Sequence, residues 1–211
     1  MAASRPKILL TGFGPFPGIE DNATAALVPE LAAAARGRFT EHDIIEEVLP
    51  VEWQRAPQLL RQLLERNSPV LALHFGVTKR ASGFQIELMG RNVCAQRSDA
   101  AGELPAAAHV IDAGPETIVS SFPAERIIAR LERAGLPCTT SESAGSYLCN
   151  ALLYHSLASA QALPKPCLTG FVHLPAGLSA AAESECLLSW SDALTGGMEI
   201  IAACLEAETD A

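Results

Sequence analysis

Cysteine pairs two residues apart are missing from this chain, and with them the commonest ligand spacing of a structural zinc site. There is no His-Glu-x-x-His run and no acidic cluster, so neither a metal nor a cofactor is expected. The Gly-x-Ser-x-Gly elbow of a serine hydrolase is absent. No apolar run reaches the roughly 18 residues of a membrane span without a charge, proline or histidine. Positive charge is scarce: 15 Lys and Arg stand against 24 Asp and Glu, for a net charge of −9, and they form no stripe. Nucleic-acid backbones and anionic membranes are therefore excluded as partners. Residues 1–10 lead straight into Ile8-Leu9-Leu10 without an h-region and cleavage site, so no signal peptide is expected.

The 211 residues are 49% apolar, which suits one globular domain over 1–211 with a sizeable core. The six cysteines (Cys94, Cys138, Cys149, Cys167, Cys186 and Cys204) are spread out. An even count permits three bridges, but a chain of this length needs no staples, and free thiols in a reducing cytoplasm are expected.

The chain reads as alternating strands and helices. Ile8-Leu9-Leu10-Thr11 is a buried strand that empties into Gly12-Phe13-Gly14-Pro15-Phe16-Pro17-Gly18. Pro17 holds the place of the third glycine of a dinucleotide fingerprint, so that reading fails. Phe13 and Phe16 either anchor this loop or wall a pocket at the strand ends, where open α/β sheets place ligands. A helix over 24–36 buries Leu27, Leu31 and Ala34. A strand follows over 44–49, a helix over 53–66 and a strand over 70–75. This rhythm predicts a single-domain, three-layer α/β/α sandwich with a mostly parallel, mixed central sheet. Residues 84–89 read as one extended piece with Gln85, Glu87 and Met89 on one side. Residues 93–121 read as a long surface excursion. A helix to Arg133, a strand at 137–140, a helix from about Tyr147 to Ala160, a strand over 167–173 and a helix over 180–206 with a break near Gly196-Gly197 complete the order. His42, His109 and His155 read as surface or helix-flank residues.

The chemistry gathers at 141–173. Ser141-Glu142-Ser143-Ala144-Gly145-Ser146 is a turn of small residues that runs into a helix with Cys149 in its first turn. The positive end of the helix dipole there lowers a thiol pKa from about 8.5 towards roughly 3.5–7.5. His173, near the exit of the last strand, can reach across to it, and Cys plus His is the minimum kit of thiol nucleophilic catalysis. The bland alternative is that both are ordinary core residues, as most cysteines are. Glu87 is either an edge acid facing water or a buried charge with a partner, for which His173 is the candidate.

On these residues the chain resembles the pyroglutamyl peptidase I family, or pyrrolidone-carboxylate peptidases, cysteine peptidases that remove an N-terminal pyroglutamyl residue. The resemblance covers most of the chain. Leu10-Thr11-Gly12-Phe13-Gly14-Pro15-Phe16 is similar to the family's first strand and loop, and Leu49-Pro50-Val51 to its second strand exit. Ala144-Gly145-Ser146-Tyr147-Leu148-Cys149-Asn150 is similar to the nucleophile motif, and Gly170-Phe171-Val172-His173-Leu174-Pro175 to the histidine motif. Glu87, five residues before Asn92, matches the catalytic glutamate; Arg97, ten after Glu87, matches an arginine near the active cysteine.

The resemblance implies that Cys149 is the nucleophile, His173 the base and Glu87 the group that orients His173. Arg97 would support the oxyanion, and Phe13, Phe16, Tyr147, Leu148 and Val77 would line a pocket for the neutral lactam. The implied partners are N-terminally pyroglutamylated peptides, and the 93–121 excursion and Ala-rich faces suit a homodimer or homotetramer. The chain departs from the family at Gly76-Val77, where many members have Gly-Gln, at Ala23-Thr24 after Asn22, and at Ala176-Gly177-Leu178, where proline is usual. Two other readings stay open: a related thiol amidase of altered specificity, and a non-catalytic binding homologue, against which the intact Glu87, Cys149 and His173 stand.

Overall fold

In the computed structural model, which describes residues 5–180 and 186–209, the elements follow in order: β1 (Lys7–Phe13), α1 (Ala23–Arg38), β2 (Asp43–Leu49), α2 (Arg55–Asn67), β3 (Leu71–Thr78), β4 (Phe84–Glu87), β5 (Met89–Arg91), β6 (Thr117–Val119), α3 (Ala124–Arg133), β7 (Cys138–Ser141), α4 (Leu148–Ala160), β8 (Leu168–Pro175) and α5 (Trp190–Thr209). The main sheet runs β2-β1-β3-β8-β4-β7. Its first four strands are parallel; β4 runs against β8, and β7 runs parallel to β4. The expected mixed α/β sandwich is what forms.

The central strands β1, β3 and β8 are buried almost throughout, as their near-continuous apolar runs require when both faces are covered. One face packs Leu27, Leu31, Ile127, Leu131 and Ile201 of α1, α3 and α5. The other packs Leu60 and Leu64 of α2 with Leu148, Leu152 and Leu157 of α4. In α1 the buried stripe is Leu27, Val28, Leu31, Ala32 and Ala35; Ala34, read into it from the sequence, faces solvent. Trp53 lies ahead of α2, which starts at Arg55.

Three sequence expectations are corrected. The helix read over 180–206 begins only at Trp190, residues 181–185 lying outside the described residues, and it runs unbroken through Gly196 and Gly197. Those glycines mark close packing: a Cβ on Gly196 would enter the Phe84 ring, and one on Gly197 would come within 2.7 Å of Leu31. The extended piece at 84–89 splits at Leu88, β4 staying in the main sheet while β5 pairs antiparallel with β6 from the excursion. His155 is half-buried within α4, not a surface residue, and burial together with the Arg61 charge lowers its pKa to about 4.

His74, in the middle of β3, is wholly buried. Its Nδ1 lies 2.7 Å from Thr11 Oγ1 and its Nε2 2.7 Å from Ser156 Oγ, which in turn lies 2.8 Å from Thr169 Oγ1. The chain of hydroxyls satisfies both ring nitrogens in the neutral state but supplies no charge, and burial lowers the pKa to about 3.

Two outcomes follow for stability. Gly196→Ala lowers the melting temperature, with overpacking of about 1–3 kcal/mol, whereas Gly37→Ala, at an exposed helix position with open space around it, raises stability by about 0.5 kcal/mol. Urea unfolding against pH tests the buried histidines. The unfolded chain takes up protons on His74 and His155 near pH 6.5, where the folded chain does not. The part of the stability that depends on these two histidines is therefore full above about 6.5 and falls as the pH drops towards 3. A flat profile over that window would contradict the neutral, buried His74.

Candidate active site

β8 lies between β3 and β4, and His173 is paired with Gly76 on one side and Gln85 on the other. Because β4 places Glu87 two residues from Gln85, Glu87 and His173 share a face of the sheet. Glu87 is fully buried, and its Oε1 accepts a hydrogen bond from His173 Nδ1 at 2.7 Å. The reading of Glu87 as an edge acid facing water is thereby excluded.

Cys149 comes to the same face from α4, as the second residue of the helix. Tyr147 is the N-cap residue and makes no side-chain cap, so the first-turn N–H groups of Leu148, Cys149 and Asn150 keep their positive field and have no partner within the helix. The approach of the helix to the sheet depends on Gly76. A Cβ there would stand 3.1 Å from Cys149 Sγ and 2.7 Å from the Phe171 ring. The Cys149 thiol lies within hydrogen-bonding reach of the His173 imidazole. Burial opposes the imidazolium charge, but Cys149 and the Glu87 carboxylate outweigh it, and the His173 pKa is raised from 6.5 to about 9. The His173 imidazole is thus disposed to carry its proton at neutral pH.

Beside Cys149 lies a narrow, mostly apolar cleft of about 20 Å³ lined by Phe13, Phe16, Asn22, Val51, Val77, Tyr147 and Leu148. All five residues expected from the sequence to wall a pocket lie around it. Asn22 and Val51 had not been singled out as lining residues. The polar atoms of Asn22 are engaged elsewhere: Oδ1 caps α1 by accepting from Thr24 N–H at 3.2 Å and Thr24 Oγ1 at 2.9 Å, and Nδ2 donates to the Gly14 carbonyl at 3.0 Å.

The 93–121 excursion braces the outer wall. Tyr147 donates to the Ser98 carbonyl at 2.9 Å and meets Trp53 edge-on at 5.2 Å. Arg97, expected near the oxyanion, is exposed and stacks its guanidinium over the Tyr147 ring at 4.8 Å. Asp99, nearly fully buried, accepts from the backbone N–H groups of Trp53, Ala101 and Glu103. Asn150 accepts from Arg91 N–H at 2.9 Å and donates to the carbonyls of Arg91 and Val93. The residue after Cys149 thus fastens this backbone to α4. Among the described residues no group of three or more His, Cys, Asp or Glu could hold a metal, and no helix is long and apolar enough to cross a membrane.

The chain is similar to known proteins over most of its length. The profile of the pyroglutamyl peptidase family matches residues 6–204. The pyrrolidone-carboxylate peptidase of Vibrio vulnificus strain YJ016 is 32% identical over 209 residues, covering 97% of this chain and 95% of the relative. That of Pyrococcus furiosus is 32% identical over 170 residues, 80% of each chain. The pyroglutamyl-peptidase 1 of Mus musculus is 32% identical over 177 residues, 83% of this chain and 81% of the relative. Among solved structures, a mutant pyrrolidone carboxyl peptidase from Pyrococcus furiosus superposes with a TM-score of 0.85 at 28% identity, covering 95% of this chain and 99% of that one. Bacillus amyloliquefaciens pyroglutamyl peptidase I gives 0.81 at 25% identity, covering 95% and 97%.

Limited alkylation ranks the six thiols. All are free, and burial pushes the Cys94 and Cys204 thiols up in pKa. Iodoacetamide at pH 6.5, with the sites mapped by mass spectrometry, is expected to modify Cys149 first and Cys204 last. Earlier modification of Cys138 or Cys186 would count against an activated Cys149.

Proposed function

The chain belongs to the pyroglutamyl peptidase family and is a cysteine peptidase, and from that premise we propose that Cys149, His173 and Glu87 carry the removal of an N-terminal pyroglutamyl residue from peptides. The observation that carries this reading is an imidazole bonded through Nδ1 to a fully buried carboxylate, on the sheet face to which the first turn of α4 brings Cys149.

In this mechanism the Cys149 thiolate attacks the carbonyl that joins pyroglutamate to the next residue, forming a C–S bond. The oxyanion is met by the first-turn N–H groups of α4, with Arg97 as an added positive charge at the rim. The intermediate collapses, the C–N bond breaks, and the departing amine takes a proton from Nε2 of the His173 imidazolium. Water then attacks the thioester and gives its proton back to His173, and pyroglutamate leaves as the thiolate re-forms. Glu87 holds Nδ1–H throughout and stabilises the imidazolium.

The lining of the cleft suits the substrate. Phe13, Phe16, Val51, Val77, Tyr147 and Leu148 offer apolar walls against which a neutral lactam loses little by leaving water, whereas the ammonium of an ordinary N-terminus would be stranded without a counter-charge. Six free thiols suit a reducing cytoplasm.

Hydrolysis of a pyroglutamyl-coumarin amide tests the proposal. Cys149→Ser is expected to lose activity by on the order of 10³-fold or more. In the parent, kcat/KM falls as the pH rises through about 9, because His173 then lacks the proton the leaving amine needs. Glu87→Gln removes one support of that proton, so the alkaline limb moves to lower pH. Undiminished turnover in Cys149→Ser would sink the assignment.

A further inference from the structure

Glu87 is held by more than His173. Gln85 stands directly opposite His173 in the β4–β8 pair and two residues before Glu87, so all three side chains lie on one face of the sheet. Gln85 Nε2 donates to Glu87 Oε1 at 2.7 Å, the same oxygen that accepts from His173 Nδ1 at 2.7 Å. The other oxygen, Oε2, is buried and has no hydrogen-bond partner among the described residues. Through one oxygen, then, two donors hold a carboxylate that has no access to water.

We propose that Gln85 is a positioning residue of the active site, pinning the Glu87 carboxylate against His173 through a second hydrogen bond to the oxygen that His173 uses. This rests on the roles given above to Cys149, His173 and Glu87. A buried carboxylate left with one donor has two ways to relieve its desolvation: it rotates towards better partners, or it binds a proton. Either way His173 loses its counter-charge. Gln85 would also have a different effect if it were only a competitor for the carboxylate: its removal would then leave more negative charge for His173 and strengthen the imidazolium. The two cases predict opposite movements of the alkaline limb. The titratable groups that face His173 are Glu87 from β4 and Cys149 from α4; β3 offers only Gly76 at the paired position, and Phe171 of β8 stacks at 4.8 Å.

The test is a double-mutant cycle read over pH on the pyroglutamyl-coumarin amide, with the parent, Gln85→Leu, Glu87→Gln and the double variant. Leu keeps most of the bulk of Gln85 and removes the donor. In the parent background Gln85→Leu is expected to lower kcat about 10- to 100-fold with KM little changed. Its alkaline limb should move from about pH 9 towards that of Glu87→Gln. In the Glu87→Gln background the same substitution should cost almost nothing, because the group it positions is already gone. Equal losses in both backgrounds, a limb that stays or rises, or full activity in Gln85→Leu would each overturn the proposal. Loss in Glu87→Gln with a silent Gln85→Leu overturns this inference alone. An unaffected Glu87→Gln removes the role of Glu87, and this inference with it. Thermal unfolding checks that each variant folds, and Gln85→Met, more flexible in the same space, carries the same expectations if the Leu protein does not.

Discussion

A carboxyl group without exposed surface is the most demanding group in this fold, and much of the sheet is arranged to keep Glu87 beside His173. β3 and β4 are consecutive in sequence but are not neighbours in the sheet; β8 enters between them, parallel to one and antiparallel to the other. His173 therefore has a different strand on each side. The β3 side presents Gly76, where the absence of a side chain lets Cys149 and Phe171 close in. The β4 side presents Gln85 and Glu87, which supply hydrogen bonding and charge. A single parallel repeat could not give one residue such unlike neighbours so economically.

The second demand falls on α4. Its N-terminus has no side-chain cap beside Cys149, and a helix end left uncapped is normally a cost. The rest of the helix offsets it. Tyr147 is clamped by Trp53, Arg97 and Ser98. Asn150 makes three hydrogen bonds to the backbone of Arg91 and Val93, where β5 passes into the excursion, and Tyr154 donates to the Pro115 carbonyl at 2.7 Å. The stretch read from the sequence as a surface excursion is fastened along the same helix that carries Cys149, which gives an otherwise irregular segment a fixed place over the site.

Much of this was legible in the sequence because it depends on local signals: buried apolar runs, helical periodicity and short motifs around Cys149 and His173. Period-two alternation already put Gln85 and Glu87 on one side, though it could not say what faced them. What was not legible depends on distant contacts. The glycine pair in α5 reads locally as a helix breaker; only the Phe84 ring and Leu31 reveal it as a packing surface. The division of 84–89 between two sheets is decided by β6, some thirty residues downstream, and no property of the segment itself announces it. Ala34 and Ala35 have the same side chain, and the helix's rotation against the sheet decides which is buried.

The two buried histidines of the central strands show where local reading stops. His74 and His173 both sit in apolar runs near glycine, and in the structure both are almost wholly removed from water. One is surrounded by hydroxyls and has its pKa lowered to about 3; the other meets a carboxylate and a thiol and has its pKa raised to about 9. Burial alone drives an imidazole towards neutrality, so it marks a structural histidine. Burial with opposing charges that the fold has brought from two other elements marks one able to hold and return a proton. The difference lies in Glu87 and Cys149, 86 and 24 residues away along the chain, and in the strand order that delivers them to the same face.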